Sequence, residues 1–161
     1  MQSETRSQPY IYIGADHGGF ALKQALVPWL QQIGHEVSDV GPLSLNPDDD
    51  YPEFAMKMAL KLQEWAEPIT RDPQYLGVLI CRQGAGMAIV ANKYRGVRAA
   101  VCRTVEEVRL SRAHNNANLL VLEGDVISLD EAMRLWEFFS TTSFDGGRHQ
   151  RRLESFSHLG E

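Results

Sequence analysis

The sequence predicts an α/β fold: a three-layer, Rossmann-like architecture around a five-stranded parallel sheet. Three observations carry this. Short β-rich runs alternate with segments of helical periodicity along the chain. The run Leu76-Gly77-Val78-Leu79-Ile80 is apolar without alternation, as a strand covered on both faces requires. No repeat, low-complexity block or linker divides the 161 residues, a length that suits one domain with a sizeable core. The expected organisation is a flexible tail over residues 1–9 and a single domain over residues 10–161.

Tyr10 to Ile13 reads as the first strand. Leu22, Leu26, Trp29, Leu30 and Ile33 then recur at helical spacing, and Gly34 ends that helix. Pro28 falls inside it. An interior proline costs about 3 kcal/mol, so a kink is expected there. Glu36 to Val40 is the second strand. Residues 41–51 hold two prolines and three consecutive aspartates and form a loop near a strand end. Phe54, Met58, Leu62 and Trp65 mark the second helix, and Pro68 and Pro73 the turn after it. The third strand ends at the Cys81 turn, followed by a short helix to about Tyr94. Arg98 to Cys102 is the fourth strand. Thr104 and Glu107 form a capping-box pattern that opens a helix running towards His114. Leu119 to Leu122 is the fifth strand. Ser128 and Glu131 open the next helix in the same way, with Ala132, Leu135, Trp136 and Phe139 on its apolar face. The segment from Arg148 forms a last helix.

Bulk properties narrow the function classes. The net charge is −5, with 21 acidic against 16 Lys and Arg residues, and no basic stripe interleaved with aromatics. Nucleic acid is therefore not the expected partner. Two cysteines, Cys81 and Cys102, make no disulfide framework and fit a reducing compartment. Residues 1–9 lack an apolar signal core, and no apolar run is long enough to span a bilayer. A cytoplasmic protein without membrane contact is expected. No Cys/His cluster has metal spacing. The first strand–helix turn lacks G-x-G-x-x-G, so neither a metal nor a dinucleotide cofactor is expected.

The most informative segment is Cys81-Arg82-Gln83-Gly84-Ala85-Gly86-Met87-Ala88. It places a thiol at the carboxyl end of a strand, beside a Gly-rich turn that opens a helix. Backbone N–H groups from Gly84 to Ala88 are offered to an anion, and a helix N-terminus lowers a thiol pKa. A small buried Cys at a tight corner is the alternative. Ligands in such sheets gather outside the carboxyl ends of the strands. Asp16, His17, the Asp50-Tyr51 region, Cys81 and Cys102 all fall at that edge. His114 falls at the opposite, amino edge, so one chain does not easily bring it to Cys81; a symmetric second chain does.

Five segments, Gly14-Ala15-Asp16-His17-Gly18-Gly19, the Cys81 run, Ala91-Asn92-Lys93 with Gly96-Val97-Arg98, Arg112-Ala113-His114-Asn115 and Gly146-Gly147-Arg148-His149-Gln150-Arg151-Arg152, stand in this order. Together they resemble the type B ribose-5-phosphate isomerase family, which includes the galactose-6-phosphate isomerase subunits. The resemblance runs from about residue 10 to residue 156. It implies an aldose–ketose isomerase acting on a phosphorylated sugar, with Cys81 moving a proton between C2 and C1 through an enediol. A thiol with a pKa near about 8.5, lowered by the turn, suits a base working near neutrality. By the same resemblance the amides of Gly84, Ala85, Gly86, Met87 and Ala88 stabilise the enediolate, and His114 opens the sugar ring with Asn115 beside it. Asp16 bonds sugar hydroxyls, or caps a helix, or both. His17 contacts phosphate or hydroxyl. Tyr51 lines the sugar pocket or is a packed loop residue. Arg148 and Arg152, four apart, share a helix face and clamp the phosphate, unless that face is merely solvated. The resemblance also implies a homodimer, or a tetramer, with shared sites.

The pattern departs from the family at named positions. Gln83 stands where Thr or Ser is usual, and Arg82 where Gly is usual. Glu123-Gly124-Asp125 replaces Gly-x-Arg. Met87 occupies the place of the Glu base found in some members, which assigns this chain to the Cys type. The departures leave open a different sugar phosphate as substrate, or a non-catalytic sugar-phosphate binder. Arg82 and Gln83 are included among the expected substrate-binding residues.

Overall fold

The computed structural model describes residues 8–66 and 68–160. Residues 1–7, most of the expected tail, lie outside them. The elements run β1 (Tyr10–Ala15), α1 (Phe20–Gln32), β2 (Val37–Asp39), α2 (Tyr51–Glu64), β3 (Tyr75–Cys81), α3 (Ala85–Ala91), β4 (Ala99–Val101), α4 (Val105–Asn115), β5 (Leu119–Glu123), α5 (Leu129–Thr141) and α6 (Gly147–Glu154). The strands form one five-stranded sheet in the order β2-β1-β3-β5-β4. Every pairing is parallel.

Alternation along the central strands sorts side chains into two cores. Val78 and Ile80 of β3 join Ile11 and Ile13, Leu120 and Leu122, under Leu26, Leu30, Leu135, Trp136 and Phe139. Leu79 and Cys81 face the other way, with Tyr12, Leu119 and Val121, under Phe54, Met58, Leu62 and Met87. The Cys81 side chain therefore points to the α2/α3 layer. A fully buried Leu or Ile contributes roughly 1.5–3 kcal/mol. The exposed Glu53–Lys57 pair at 2.7 Å contributes a few tenths at most, so core packing fixes the scaffold.

Several expected boundaries shift. β2 and β4 are each three residues, shorter than expected, because edge strands hydrogen-bond on one side only. β1 runs on to Ala15 because Gly14 and Ala15 pair with Leu79 and Ile80. Pro28 does not break α1. Burial of Leu26 and Leu30 on its inner face offsets the proline's cost. Gly34 follows the helix at φ 98°, where a Cβ would be strained. Both capping boxes form, at Thr104/Glu107 and at Ser128/Glu131. At the described edge of the expected tail, the Pro9 carbonyl bonds His35 Nδ1 at 3.1 Å.

Lys23 is fully buried in α1 yet reaches the loop after β2. Its Nζ donates to Asp39 at 2.5 Å and to the Pro42 carbonyl at 2.6 Å. Asp39 also accepts from the Gly41 N–H at 2.8 Å. A buried ammonium is tolerated only when paired and hydrogen-bonded, so these bonds hold the loop that leads to α2 against the sheet.

Candidate active site

The sheet order reverses between β1 and β3, and a crevice opens there beyond the strand ends. Asp16 follows β1 and Cys81 ends β3. The Asp16 N–H donates to the Ile80 carbonyl at 3.2 Å, tying the two strand ends together. The turn after Asp16 lies against the backbone of β3: a Cβ on Gly19 would stand 2.1 Å from the Ile80 oxygen. Asp16 Oδ1 accepts from the Gly19 N–H at 3.1 Å. Asp16 is not the helix N-cap, which is Gly19; its carboxylate braces the turn instead. Burial raises the Asp16 pKa, opposed by the Gly19 amide and the His17 charge.

Cys81 is 6% exposed, and its Sγ accepts from the Gly84 N–H at 3.1 Å. Gly84 adopts φ 74°, the left-handed turn that aims this amide back at the sulfur. The expected lowering of the thiol pKa does not occur. Burial pushes it up, and the amides of Gly84, Gln83 and Met87 only partly offset this, with the Asp16 charge adding to the rise. The thiol therefore keeps its proton at neutral pH in the free protein. Not all the expected amides are free. Ala85 N–H bonds the Gln83 carbonyl at 2.8 Å, and Ala88 N–H the Gly84 carbonyl at 3.1 Å. Gly86 remains as a first-turn amide without a carbonyl four residues back in the helix, while the Met87 amide is turned to the Cys81 sulfur. The Met87 side chain is fully buried, so it meets the site only through its backbone.

Tyr51 begins α2, and its ring lies on Gly86: a Cβ there would be 2.7 Å from the ring carbons. The tyrosine is thus packed against the Cys81 turn from the start of α2, rather than from a loop, and is 40% exposed. His17 is bound by a residue the sequence reading did not single out. Asp49 Oδ1 accepts from the His17 N–H at 3.0 Å and meets His17 Nδ1 at 2.7 Å. This contact raises the His17 pKa; burial and the Arg82 charge oppose it, and Asp16 supports it. The signal for Asp49 was the Asp48-Asp49-Asp50 run before Tyr51, legible as a loop but not as a histidine partner.

Arg82 and Asp125, read from sequence as separate departures, meet on the rim. Their charged groups are 3.5 Å apart and both side chains are well exposed. The Arg82 stem crosses Gly18, where a Cβ would meet Cγ at 2.5 Å. Gln83 is exposed beside it. A second unforeseen pair lies one strand over. Glu123, in register with Cys81, is buried and accepts from Arg103 Nε and from Nη2, the latter at 2.8 Å.

The remaining expected site residues gather elsewhere. His114 and Asn115 end α4, at the amino edge of the sheet before β5. The chain before α6 returns there, with Asp145 N–H on the Ala113 carbonyl at 2.9 Å. His114 and His149 stack at 4.1 Å with planes 7° apart. Burial, then the charges of His114, Arg148 and Arg152, lower the His149 pKa. Arg148 and Arg152 are exposed on α6. One chain therefore separates His114, Asn115, Arg148 and Arg152 from Cys81, as the topology predicts for His114. Among the described residues, His114, Asp145 and His149 bring ligand atoms within 4.8 Å of one another. Imidazole lone pairs lie in the ring planes, and nearly parallel stacked rings do not converge them on one ion, so the geometry is poor for a metal.

Residues 11–156 match the family model described as Ribose/Galactose Isomerase. A ribose-5-phosphate isomerase B of Mycolicibacterium paratuberculosis is 39% identical over 145 residues, covering 89% of this chain and 87% of that protein. The Escherichia coli K12 protein of the same name is 37% identical over 147 residues, covering 91% and 93%. The crystal structure of ribose-5-phosphate isomerase B from Mycoplasma genitalium with bound ribulose-5-phosphate superposes with a TM-score of 0.85 at 36% identity, covering 92% of this chain and 93% of that one. The Thermotoga maritima enzyme gives 0.84 at 39%, covering 94% and 99%. With the fold, the Cys81 turn and the Asp16-His17 turn in their expected places, the chain belongs to the ribose/galactose isomerase family.

Proposed function

We propose that this protein is a sugar-phosphate isomerase interconverting ribose 5-phosphate and ribulose 5-phosphate through an enediol. The observation that carries this is the convergence of Cys81, Asp16, His17 and Tyr51 at the β1/β3 crevice, in a chain matched over about nine-tenths of its length by ribose-5-phosphate isomerases B. Cys81 takes the proton from C2 and returns it to C1. Since burial holds the thiol protonated, the active fraction is small near neutrality and turnover rises with pH as the thiolate forms. In this reading the Gly86 amide donates to the charge that develops on the enediolate oxygen. Asp16 bonds sugar hydroxyls.

The working unit is a homodimer. Each site joins the Cys81 edge of one copy to His114, Asn115, Arg148 and Arg152 of the other, which open the ring and clamp the phosphate. Exposed apolar side chains on the packed helices α2 and α3, Met56, Leu60 and Ile89, supply a surface for such contact. Among the described residues no helix is long and apolar enough to cross a membrane, and both cysteines are free; we place the protein in the cytoplasm.

A second reading, a different sugar phosphate, is favoured by exposed Gln83 and by the Arg82–Asp125 pair. One experiment separates the two: interconversion is assayed with a panel of aldose and ketose phosphates and their unphosphorylated sugars. Ribose 5-phosphate is expected to turn over best, and Cys81→Ser to abolish C2 proton exchange while leaving binding in place. No turnover of any member by the wild-type protein refutes the isomerase reading.

A further inference from the structure

His17 is held at two points by one oxygen. Its backbone N–H and its Nδ1 both reach Asp49 Oδ1, at 3.0 and 2.7 Å. This fixes the backbone and the ring together. The Asp49 side chain is 5% exposed, and the His17 side chain 29%. Asp49 Oδ2 is buried without a hydrogen-bond partner. Among the described residues, both hydrogen bonds to this carboxylate come from His17. A buried carboxylate with one bare oxygen is costly unless a cation stands against it. The short Nδ1 contact lies in the range of charge-assisted bonds. With Nδ1 committed to Asp49, only Nε2 remains for the crevice.

We propose that Asp49 is a positioning residue that keeps the His17 ring oriented and protonated, so that Nε2–H is a standing cationic anchor for the phosphate of the substrate. The idea rests on the sugar-phosphate reading above and names a device within it. The charged groups around His17 are Asp49, Asp16 and Arg82. The two carboxylates favour the imidazolium and the guanidinium opposes it, so removing Asp49 leaves Asp16 against Arg82. The loop carrying Asp49 is secured at its start by the buried Lys23, which is how a residue outside the regular elements is held in place.

The test uses the full-length protein without substrate first. The ring of His17 is titrated by NMR between about pH 5 and 9 in wild type and in Asp49→Asn, with His17→Asn identifying the resonance. Wild-type His17 is expected to titrate above the ordinary value of about 6.5, and Asp49→Asn to bring it down. Inorganic phosphate, followed on the same resonance near pH 7.5, is expected to bind roughly tenfold more weakly to Asp49→Asn. With substrate, KM rises by a similar factor while kcat stays within about twofold, because the phosphate is held alike in ground and transition states. A wild-type His17 that titrates at or below about 6.5 overturns the proposal without any variant. So does an Asp49→Asn protein whose His17 titration or phosphate affinity is unchanged. If wild-type protein turns over no sugar phosphate, the isomerase reading fails, yet the titration and phosphate readouts still decide the role of Asp49.

Discussion

Gly19→Ala is a sharp test of how the site is assembled, because two effects oppose each other there and the structure says which wins. Gly19 sits at φ −105° and ψ −3°, a conformation any residue adopts, so alanine brings no backbone strain. Alone, that would make the substitution stabilising by about 0.4–1 kcal/mol through the unfolded chain. But the new Cβ would lie 2.1 Å from the Ile80 oxygen and 2.4 Å from its carbonyl carbon. Ordinary contact begins at 3.4 Å, so the turn must retreat from β3 by about 1.3 Å. The neighbour is central-strand backbone and cannot yield cheaply. Overpacking of this kind costs about 1–3 kcal/mol, which exceeds the entropic gain. For a domain this size that corresponds to a fall in Tm of about 3–10 °C. The functional effect is expected to be larger. The retreat carries Asp16 and His17 away from Cys81, and a misplacement near 1 Å costs roughly a hundredfold in rate. Thermal unfolding and kcat/KM for ribose 5-phosphate measure the two effects. Gly34→Ala is the control: it has φ 98° and nothing within 4 Å, so it should lower Tm modestly and leave kcat/KM alone. A Gly19→Ala protein with wild-type Tm and wild-type kcat/KM would show that the turn does not depend on this close approach.

Mixing inactive Cys81→Ser and His114→Ala chains should restore part of the activity once subunits exchange, since some mixed dimers carry one intact site; verified exchange with no recovery refutes the shared site. Asp125→Asn should free Arg82 and lower KM for ribose 5-phosphate several-fold with Tm changed by less than about 2 °C, because an exposed pair contributes about 0–1 kcal/mol; an unchanged KM shows that Arg82 does not meet the phosphate. His35 is buried between Pro9 and Trp136, whose Nε1 donates to its Nε2 at 3.2 Å, and burial lowers its pKa. The unfolded chain then binds a proton that the native state refuses, so this residue costs stability as pH falls below about 6.5, its unfolded value. Tm measured from pH 7 to 5 should decline, and His35→Gln should flatten that decline; an equal slope in both proteins contradicts the assignment.

Local pattern alone determined the layers, the parallel sheet and both capping boxes. Helical spacing of Leu26 and Leu30, the unbroken apolar run before Cys81, and Thr104-x-x-Glu107 each act within a few residues. Sequence also set the two-edge arrangement, because in a parallel sheet a helix C-terminus such as His114 must precede a strand and a strand end such as Cys81 must follow one. What depended on distant contacts was not legible. The Cys81 thiol pKa goes up rather than down because the α2/α3 layer closes over it, and the dehydration this causes outweighs one turn of amides. Arg82 and Asp125 read from sequence as a gained cation and a lost one; that the turns after β3 and β5 bring the two charges to 3.5 Å was not legible. Asp49 was one of three similar aspartates in a loop, and only the packing of that loop beside β1 selected it as the partner of His17, 32 residues away. Periodicity reports which face a residue occupies; which charge meets which across the crevice is decided by tertiary packing, where burial and distance set the strength of every electrostatic contact.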